Sequence, residues 1–287
     1  MNLITKNKPN TKKTKMNLIT KNKPTWCPGC PNFQILAGVK KALEDSGKNQ
    51  GNTAIVSGIG CHAKIFDYLN LPGLNSLHGR VAPVCLGLKI GNPNLTVLGF
   101  SGDGDAYAEG LEHTIHAARY NSDWNYIIHN NQVFSLTTGQ PTPVTEVGYK
   151  DKTTPLGVKT FPLNPIHLML SAGATFVARV FADLNQVKDV LNEAMKHKGF
   201  SFIEIIQPCL IFHPFILEHK SKLYDLQKTG HDKTDFNAAM KKAQEFDYNI
   251  SKKIPTGIFY QVKKPVFEDQ FPQMKKLGKL GWKDIKR

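Results

Sequence analysis

The sequence predicts an α/β fold, a mostly parallel sheet with helices on both faces, and three observations point there. Short β-branched apolar runs alternate with stretches whose apolar residues recur at helical spacing. The runs are apolar throughout, as in strands buried on both faces. Several end in Gly, Asp or Asn, the residue types found where a strand turns into a helix. With 287 residues, 40% of them hydrophobic, the chain can bury a sizeable core in one or two domains.

In chain order, "FQILAGVKKALED" (33–45) has helical spacing and runs out in the loop "SGKNQGN". "TAIVSGIG" (53–60) is a strand leading into glycine, and "GRVAPVCLGLKIGNP" (79–93) a small-residue helix stopped by Asn92-Pro93. "LTVLGF" (95–100) is a buried strand, 105–121 a helix and "NYIIHN" (125–130) the next strand. After a polar loop come a short helix near 165–172, the strand "TFVARVF", a helix over 183–198 and the strand "FSFIEII".

The net charge of +14 would suit a nucleic-acid binder, but its location argues otherwise. Residues 1–25 carry seven lysines and no acid. Residues 263–287 carry seven lysines and Arg287 against Glu268, Asp269 and Asp284. Only +2 remains for everything between, so the basicity belongs to solvated tails and no nucleic-acid partner is expected. "MNLITKNKP" occurs at 1–9 and again at 16–24, a duplication that leaves Met16 as an alternative start. The expected organisation is a disordered basic tail over 1–25, one domain over 26–214, and a Lys- and Phe-rich extension over 215–287 serving as a subunit-contact arm. No run of eighteen apolar residues and no apolar leader stretch occur, so neither membrane nor export is expected and the cytoplasm is the default.

Chemistry concentrates at strand ends. "LTVLGFSGDGDAYAEG" runs from a strand into Gly102, Asp103, Gly104 and Asp105 and then a helix. Glycines allow close approach of a phosphate, a helix start favours an anion, and Asp103 is a hard oxygen donor for Mg²⁺. A plain Gly/Asp turn with an Asp cap would read the same way. The next strand ends in Asn130-Asn131, a second oxygen donor 28 residues after Asp103, with the carbonyl of Val133 two residues on. Gly-Asp-Gly, about thirty residues and then Asn-Asn after an apolar strand resembles the thiamin diphosphate-binding motif. Cys27 and Cys30 form C-x2-C in "TWCPGCPNF", Cys61 follows in "GIGCHAKI" and Cys209 in "QPC". Four such thiols can bind zinc or [4Fe–4S]. Cys85, in a small-residue helix, reads as core packing.

These stretches together resemble the β subunits of 2-oxoacid:ferredoxin oxidoreductases. The resemblance is carried by "WCPGC", "SGIGCHAKI", "SLHGRVAPV", "GFSGDGDAYAEG", "HNNQVFSLTTGQPTP" and "QPC", in the family's order from Trp26 to about Pro214. It continues weakly through "KIPTGIFYQVKKPVFED". It implies a thiamin diphosphate-binding fold with Cys27, Cys30, Cys61 and Cys209 on a [4Fe–4S] cluster. Asp103, Asn131 and the Val133 carbonyl would hold Mg²⁺; Gly102, Gly104 and Asp105 would line the diphosphate. Ile59, Gly60, Cys61 and His78 would contact the cofactor. Lys64, His78, Arg80 and Leu136 are the candidates for substrate contact, and His62 for tuning the cluster. The implied reaction is oxidative decarboxylation of a 2-oxoacid, pyruvate or 2-oxoglutarate, with coenzyme A, giving acyl-CoA and CO₂ and passing electrons to ferredoxin. An α subunit would supply the glutamate that activates the aminopyrimidine. The chain departs from the family at Pro31, at Phe134-Ser135 where Tyr-Gly is usual, and in "GQPTPVT". The alternative is a non-redox thiamin-dependent decarboxylase or ligase subunit with structural zinc.

Overall fold

The structure is a computed structural model that describes residues 17–249 and 252–277. Its helices are α1 (Asn32–Asp45), α2 (Ile65–Tyr68), α3 (Val81–Gly91), α4 (Leu111–Tyr120), α5 (Pro165–Ser171), α6 (Leu184–Lys196), α7 (Phe236–Ala243) and α8 (Pro272–Leu277). Its strands are β1 (Thr53–Ser57), β2 (Gly73–Asn75), β3 (Thr96–Gly102), β4 (Asn125–Asn130), β5 (Val133–Phe134), β6 (Gln140–Pro141), β7 (Phe176–Phe181), β8 (Ser201–Ile206), β9 (Leu223–Asp225) and β10 (Ile254–Gln261). Eight of them form one sheet in the order β2-β1-β3-β4-β8-β7-β10-β9, parallel except where β10 meets β7. Every residue of β1, β4, β7 and β8 is buried, which is why those runs carry no polar alternation.

Two apolar layers cover the sheet. On one face α1 presents Ile35, Leu36, Val39, Ala42 and Leu43, and α6 presents Val187, Val190, Leu191 and Ala194. Their spacing follows the helical repeat. Gly38 lets the two helices touch, since a Cβ there would stand 2.8 Å from the Leu184 carbonyl oxygen. Asp183 caps α6 by accepting from the N–H groups of Asn185 and Gln186. The other face is covered by α3, α4, α5 and α7, with Trp124, Tyr126, Phe200 and Phe202 beneath them.

Three expectations change. The single helix expected over 105–121 is a wide turn at Asp105–Glu109, a break at Gly110, and then α4. A side chain at Gly110 would press within 2.7 Å of the Gly79 carbonyl oxygen, so the break is what lets the His78-Gly79 turn dock. The segment after residue 214 places β10 and β9 in the main sheet. The tail is ordered before Trp26: Leu18 is 4% exposed in the core and Ile19 bridges Leu69. Residues 1–16, with the first copy of the repeat, and the basic residues 278–287 lie outside the described residues. Among the described residues no helix is long and apolar enough to cross a membrane.

Candidate active site

The carboxyl ends of β3 and β4 lie side by side, Gly102 level with His129, so the chain delivers Asp103 and Asn131 to one place. This is where ligands sit in parallel α/β sheets. Asp103 is 1% exposed. Its Oδ2 accepts from the Thr142 hydroxyl at 2.6 Å and its Oδ1 from the Asn131 N–H at 3.3 Å. Burial pushes its carboxyl up to about 7 against those two hydrogen bonds. No cationic side chain among the described residues pairs with it, so this buried carboxylate and the hard oxygens around it fit a divalent cation. Asn131 directs Oδ1 toward the Val133 N–H at 3.2 Å and donates from Nδ2 to Gln207 Oε1 at 3.1 Å and Ser135 Oγ at 3.3 Å. The turn that makes this possible passes through Gln132 at φ 60°, a costly conformation for a non-glycine residue. It is held by side-chain bonds from Gln132 Nε2 to the Val144 and Tyr248 carbonyls, and by Asn130 Oδ1 accepting the Gln132 N–H.

A pocket of about 440 Å³ opens over these strand ends, lined by Ile59, Gly60, Cys61, His78, Asp103 and Leu136 among others. Gly102 and Gly104 line it too, though the room their missing side chains leave faces protein. A Cβ would stand 2.8 Å from His62 at Gly102 and 2.2 Å from the Phe134 ring at Gly104. Asp105, expected to line the diphosphate, lines the pocket and is also a hub of contacts. It accepts from the Gly79 N–H at 2.7 Å and from the Ser101 hydroxyl, with His62 Nε2 at 3.4 Å and His78 Nδ1 at 3.3 Å. Burial opposes its charge, but His62, Ser101 and Gly79 outweigh burial and hold its carboxyl below the usual range. Arg80 turns away and donates to the Gly79 and Glu109 carbonyls at 3.2 and 2.9 Å. Leu136 and Ile59, 49% and 42% exposed, stand at the mouth.

The four cysteines Cys27, Cys30, Cys61 and Cys209 meet around an adjoining pocket of about 450 Å³. All are free thiols; Cys85, also free, is on the core-facing side of α3 and fully buried. Burial pushes Cys30 up to about 11, the Asn32 N–H working against it and the three other thiols adding to it. Burial also raises Cys61, opposed by Ser135 and Lys64. N–H donors approach the sulfurs, from Phe212 to Cys209 Sγ at 3.4 Å and from Gln207 Nε2 to Cys30 Sγ at 3.8 Å. Lys64 lines this second pocket, its Nζ on the Thr25 carbonyl at 3.2 Å, and does not line the first. Cys61 and Ser135 line both.

His129 escaped the sequence reading. It is 1% exposed, with Nδ1 2.7 Å from Asn32 Oδ1 and Nε2 unpartnered at the pocket. Burial, and then His62, holds it well below its ordinary range, so it stays neutral. Thr142, Ser135 and Gln207 were not named as site residues, although they lie within the quoted "HNNQVFSLTTGQPTP" and "QPC" stretches. His113 and His116 lie on α4 beside a small separate hollow.

Comparison with known proteins agrees with this geometry. Residues 58–205 match the family model for the C-terminal TPP-binding domain of thiamine pyrophosphate enzymes, and residues 219–276 that for the C-terminal part of the pyruvate ferredoxin oxidoreductase β subunit. The 2-oxoacid:ferredoxin oxidoreductase subunit beta of Saccharolobus solfataricus is 39% identical over 82% of this chain and 81% of its own. The 2-oxoglutarate synthase subunit KorB of Archaeoglobus fulgidus is 37% identical over 79% of this chain and 84% of its own. A solved 2-oxoglutarate:ferredoxin oxidoreductase from Magnetococcus marinus, with 2-oxoglutarate, coenzyme A and succinyl-CoA bound, superposes with a TM-score of 0.86 at 31% identity, covering 93% of this chain and 92% of that one. With its thiamin-type strand ends, cysteine pocket and matches across both halves, the chain belongs to the β subunits of the 2-oxoacid:ferredoxin oxidoreductases.

Proposed function

We propose that this chain holds thiamin diphosphate through Mg²⁺ on Asp103, Asn131 and the Val133 carbonyl, and a [4Fe–4S] cluster on Cys27, Cys30, Cys61 and Cys209. With an α subunit it converts a 2-oxoacid, pyruvate or 2-oxoglutarate, and coenzyme A to acyl-CoA and CO₂, reducing two one-electron ferredoxins. The observation that carries this reading is that the two pockets share a wall, Cys61 and Ser135. When bound, thiamin diphosphate supplies the nucleophile and electron sink for decarboxylation, and the cluster takes electrons one at a time.

The residues of the chain bind and orient. Asp103 and Asn131 give hard oxygens to the metal. Asp105 fixes His62 and His78, and His78, about a third exposed, offers an imidazole at the pocket. Ile59 and Leu136 make the mouth apolar and exclude water. Lys64 serves the cysteine pocket, favouring anionic sulfur at Cys61. The described lining of the thiamin pocket contains no glutamate, in keeping with a partner that supplies it.

The test is anaerobic purification followed by assay of iron, acid-labile sulfide and zinc. Nearly four irons and four sulfides are expected, lost in Cys209→Ser, with turnover of a 2-oxoacid only after the α subunit is added. Zinc without sulfide would leave a non-redox thiamin enzyme instead.

A further inference from the structure

We infer that Gln207 and Ser135 couple the metal-binding Asn131 to the cysteine sulfurs, so that binding of Mg²⁺ and thiamin diphosphate makes the cluster of this chain easier to reduce. The inference rests on the metal and cluster assignments proposed above.

Gln207 directly follows β8 and is 2% exposed, a polar side chain buried at the wall of the cysteine pocket beside Asn131. Its backbone N–H is fixed on the Asn130 carbonyl at 2.8 Å. Its Oε1 accepts from Asn131 Nδ2, while its Nε2 donates to the Pro208 carbonyl at 3.0 Å and to Cys30 Sγ at 3.8 Å. The Pro208 carbonyl can only accept, so it fixes which end of the Gln207 amide carries the hydrogens. The Val133 N–H fixes Asn131 in the same way, leaving its oxygen toward the metal position and its NH₂ toward Gln207 and Ser135. Ser135 offers a second arm: its hydroxyl takes the other Asn131 contact, and it lines both pockets together with Cys61.

The direction follows from polarisation. A cation on the Asn131 oxygen draws electrons from its amide, making Nδ2–H a stronger donor to Gln207 and Ser135. Gln207 accepts a stronger bond and so becomes a better donor to the Cys30 sulfur, and the Ser135 hydroxyl, lining the same wall as Cys61, is polarised in the same sense. Donors to the sulfurs stabilise the more negative, reduced cluster and raise its potential. The field of the cation itself is opposed by the diphosphate beside it, so the hydrogen-bonded arms carry the net effect. Because the Cys30 contact is long, the effect is modest, roughly threefold in the equilibrium constant for reduction, or about 28 mV at 59 mV per tenfold for one electron. Linkage makes it reciprocal: the reduced protein binds Mg²⁺ and thiamin diphosphate threefold more tightly than the oxidised one.

Both sides of that linkage are measurable in the full chain purified anaerobically with its partner subunit. Binding of thiamin diphosphate with Mg²⁺ is titrated in the oxidised protein and after one electron per cluster from dithionite. The midpoint potential is followed at the spectroscopic signal that Cys209→Ser removes. A threefold tighter Kd on reduction and an upward shift of the potential are expected. Gln207→Met and Ser135→Gly should each shrink the ratio, and together bring it to one while cofactor and cluster remain bound. Equal Kd values in both redox states of the wild-type protein would overturn the coupling, as would a ratio unchanged in the double variant. Absence of iron and sulfide, or of any cofactor binding, would instead overturn the assignments beneath it.

Discussion

Two clusters of buried polar side chains lie near the same end of the sheet, and they are finished to different degrees. In the first, Arg179 on β7 and Glu204 on β8 are both fully buried and joined at 2.8 Å. Tyr248 bonds to both, Glu204 also accepts from Asn130 Nδ2 at 2.8 Å, and the guanidinium lies over the rings of Phe246, Tyr248 and Phe259 at 4.9 to 5.4 Å. Charge is matched, and one guanidinium nitrogen alone lacks a hydrogen bond. In the second, Asp103 is equally buried and, among the described residues, no cation pairs with it and His129 Nε2 has no partner. Burial costs both clusters their hydration. The first recovers that cost within the described residues, whereas the second is where the proposed metal and cofactor would recover it. The first also holds the second in place, since Asn130 and Gln132 tie the turn through Asn131 to Glu204 and to the Tyr248 backbone.

The comparison breaks most sharply at Arg179. Arg179→Met leaves Glu204 charged and alone among buried groups and should cost about 3–5 kcal/mol in chemical denaturation. Adding Glu204→Gln, which keeps the bond to Asn130 within reach, should recover a large part. If the single variant loses under 1 kcal/mol, the pair does not organise this region. The opposite sign is expected at Asp103. Asp103→Asn removes an unpaired buried acid, so the ligand-free protein should be at least as stable as wild type. It should nevertheless lose the stabilisation that Mg²⁺ and thiamin diphosphate give, about 2.7 kcal/mol at a hundredfold excess over Kd. Thermal melts with and without both ligands measure the two effects. A variant stabilised by the ligands as much as wild type would remove Asp103 from the metal site.

What was legible in the sequence follows the same division. Residues 125–130 were expected as a strand and are one, residue for residue, because a fully buried run announces itself locally. Asp103 and Asn131 were legible because glycines and hard oxygen donors at strand ends are short-range signals. The four cysteines were grouped from their places beside strand ends and Gly/Pro turns, with zinc or [4Fe–4S] open, and the family resemblance chose the cluster; nothing local brings residue 209 to residue 27. The hidden parts are long-range. His129 meets Asn32 across 97 residues and Gln207 meets Cys30 across 177, and neither contact leaves a periodicity. β10 was missed as a sheet strand because Pro255 and Gly257, the latter at φ 102° beside a register shift, weaken its pattern. The break at Gly110 answers a turn thirty residues earlier in the chain.

The smallest predicted effect sharpens the comparison from the satisfied side. His219 packs edge-on against Phe246, the ring that lies over Arg179, at 5.3 Å. Burial, and then the charges of Lys222, His213 and Arg179 against that of Glu146, holds it down to about 4 from an ordinary 6.5. Above pH 6.5 the ring is neutral in both folded and unfolded chains and contributes no pH dependence. Between 6.5 and 4 the unfolded chain takes a proton that the folded one refuses, so stability falls as pH falls through that window and levels off below it. The loss should be of the order of 2 kcal/mol, since the residue is only half-buried and water screens part of the effect. His219→Gln should flatten that limb of the stability curve, measured by urea denaturation between pH 7 and pH 4, while leaving Mg²⁺-dependent stabilisation at pH 7 intact. A limb that stays as steep would show that the acid sensitivity of the aromatic cage lies with another group, with Glu146 and its bond to His213 at 2.8 Å the next to examine.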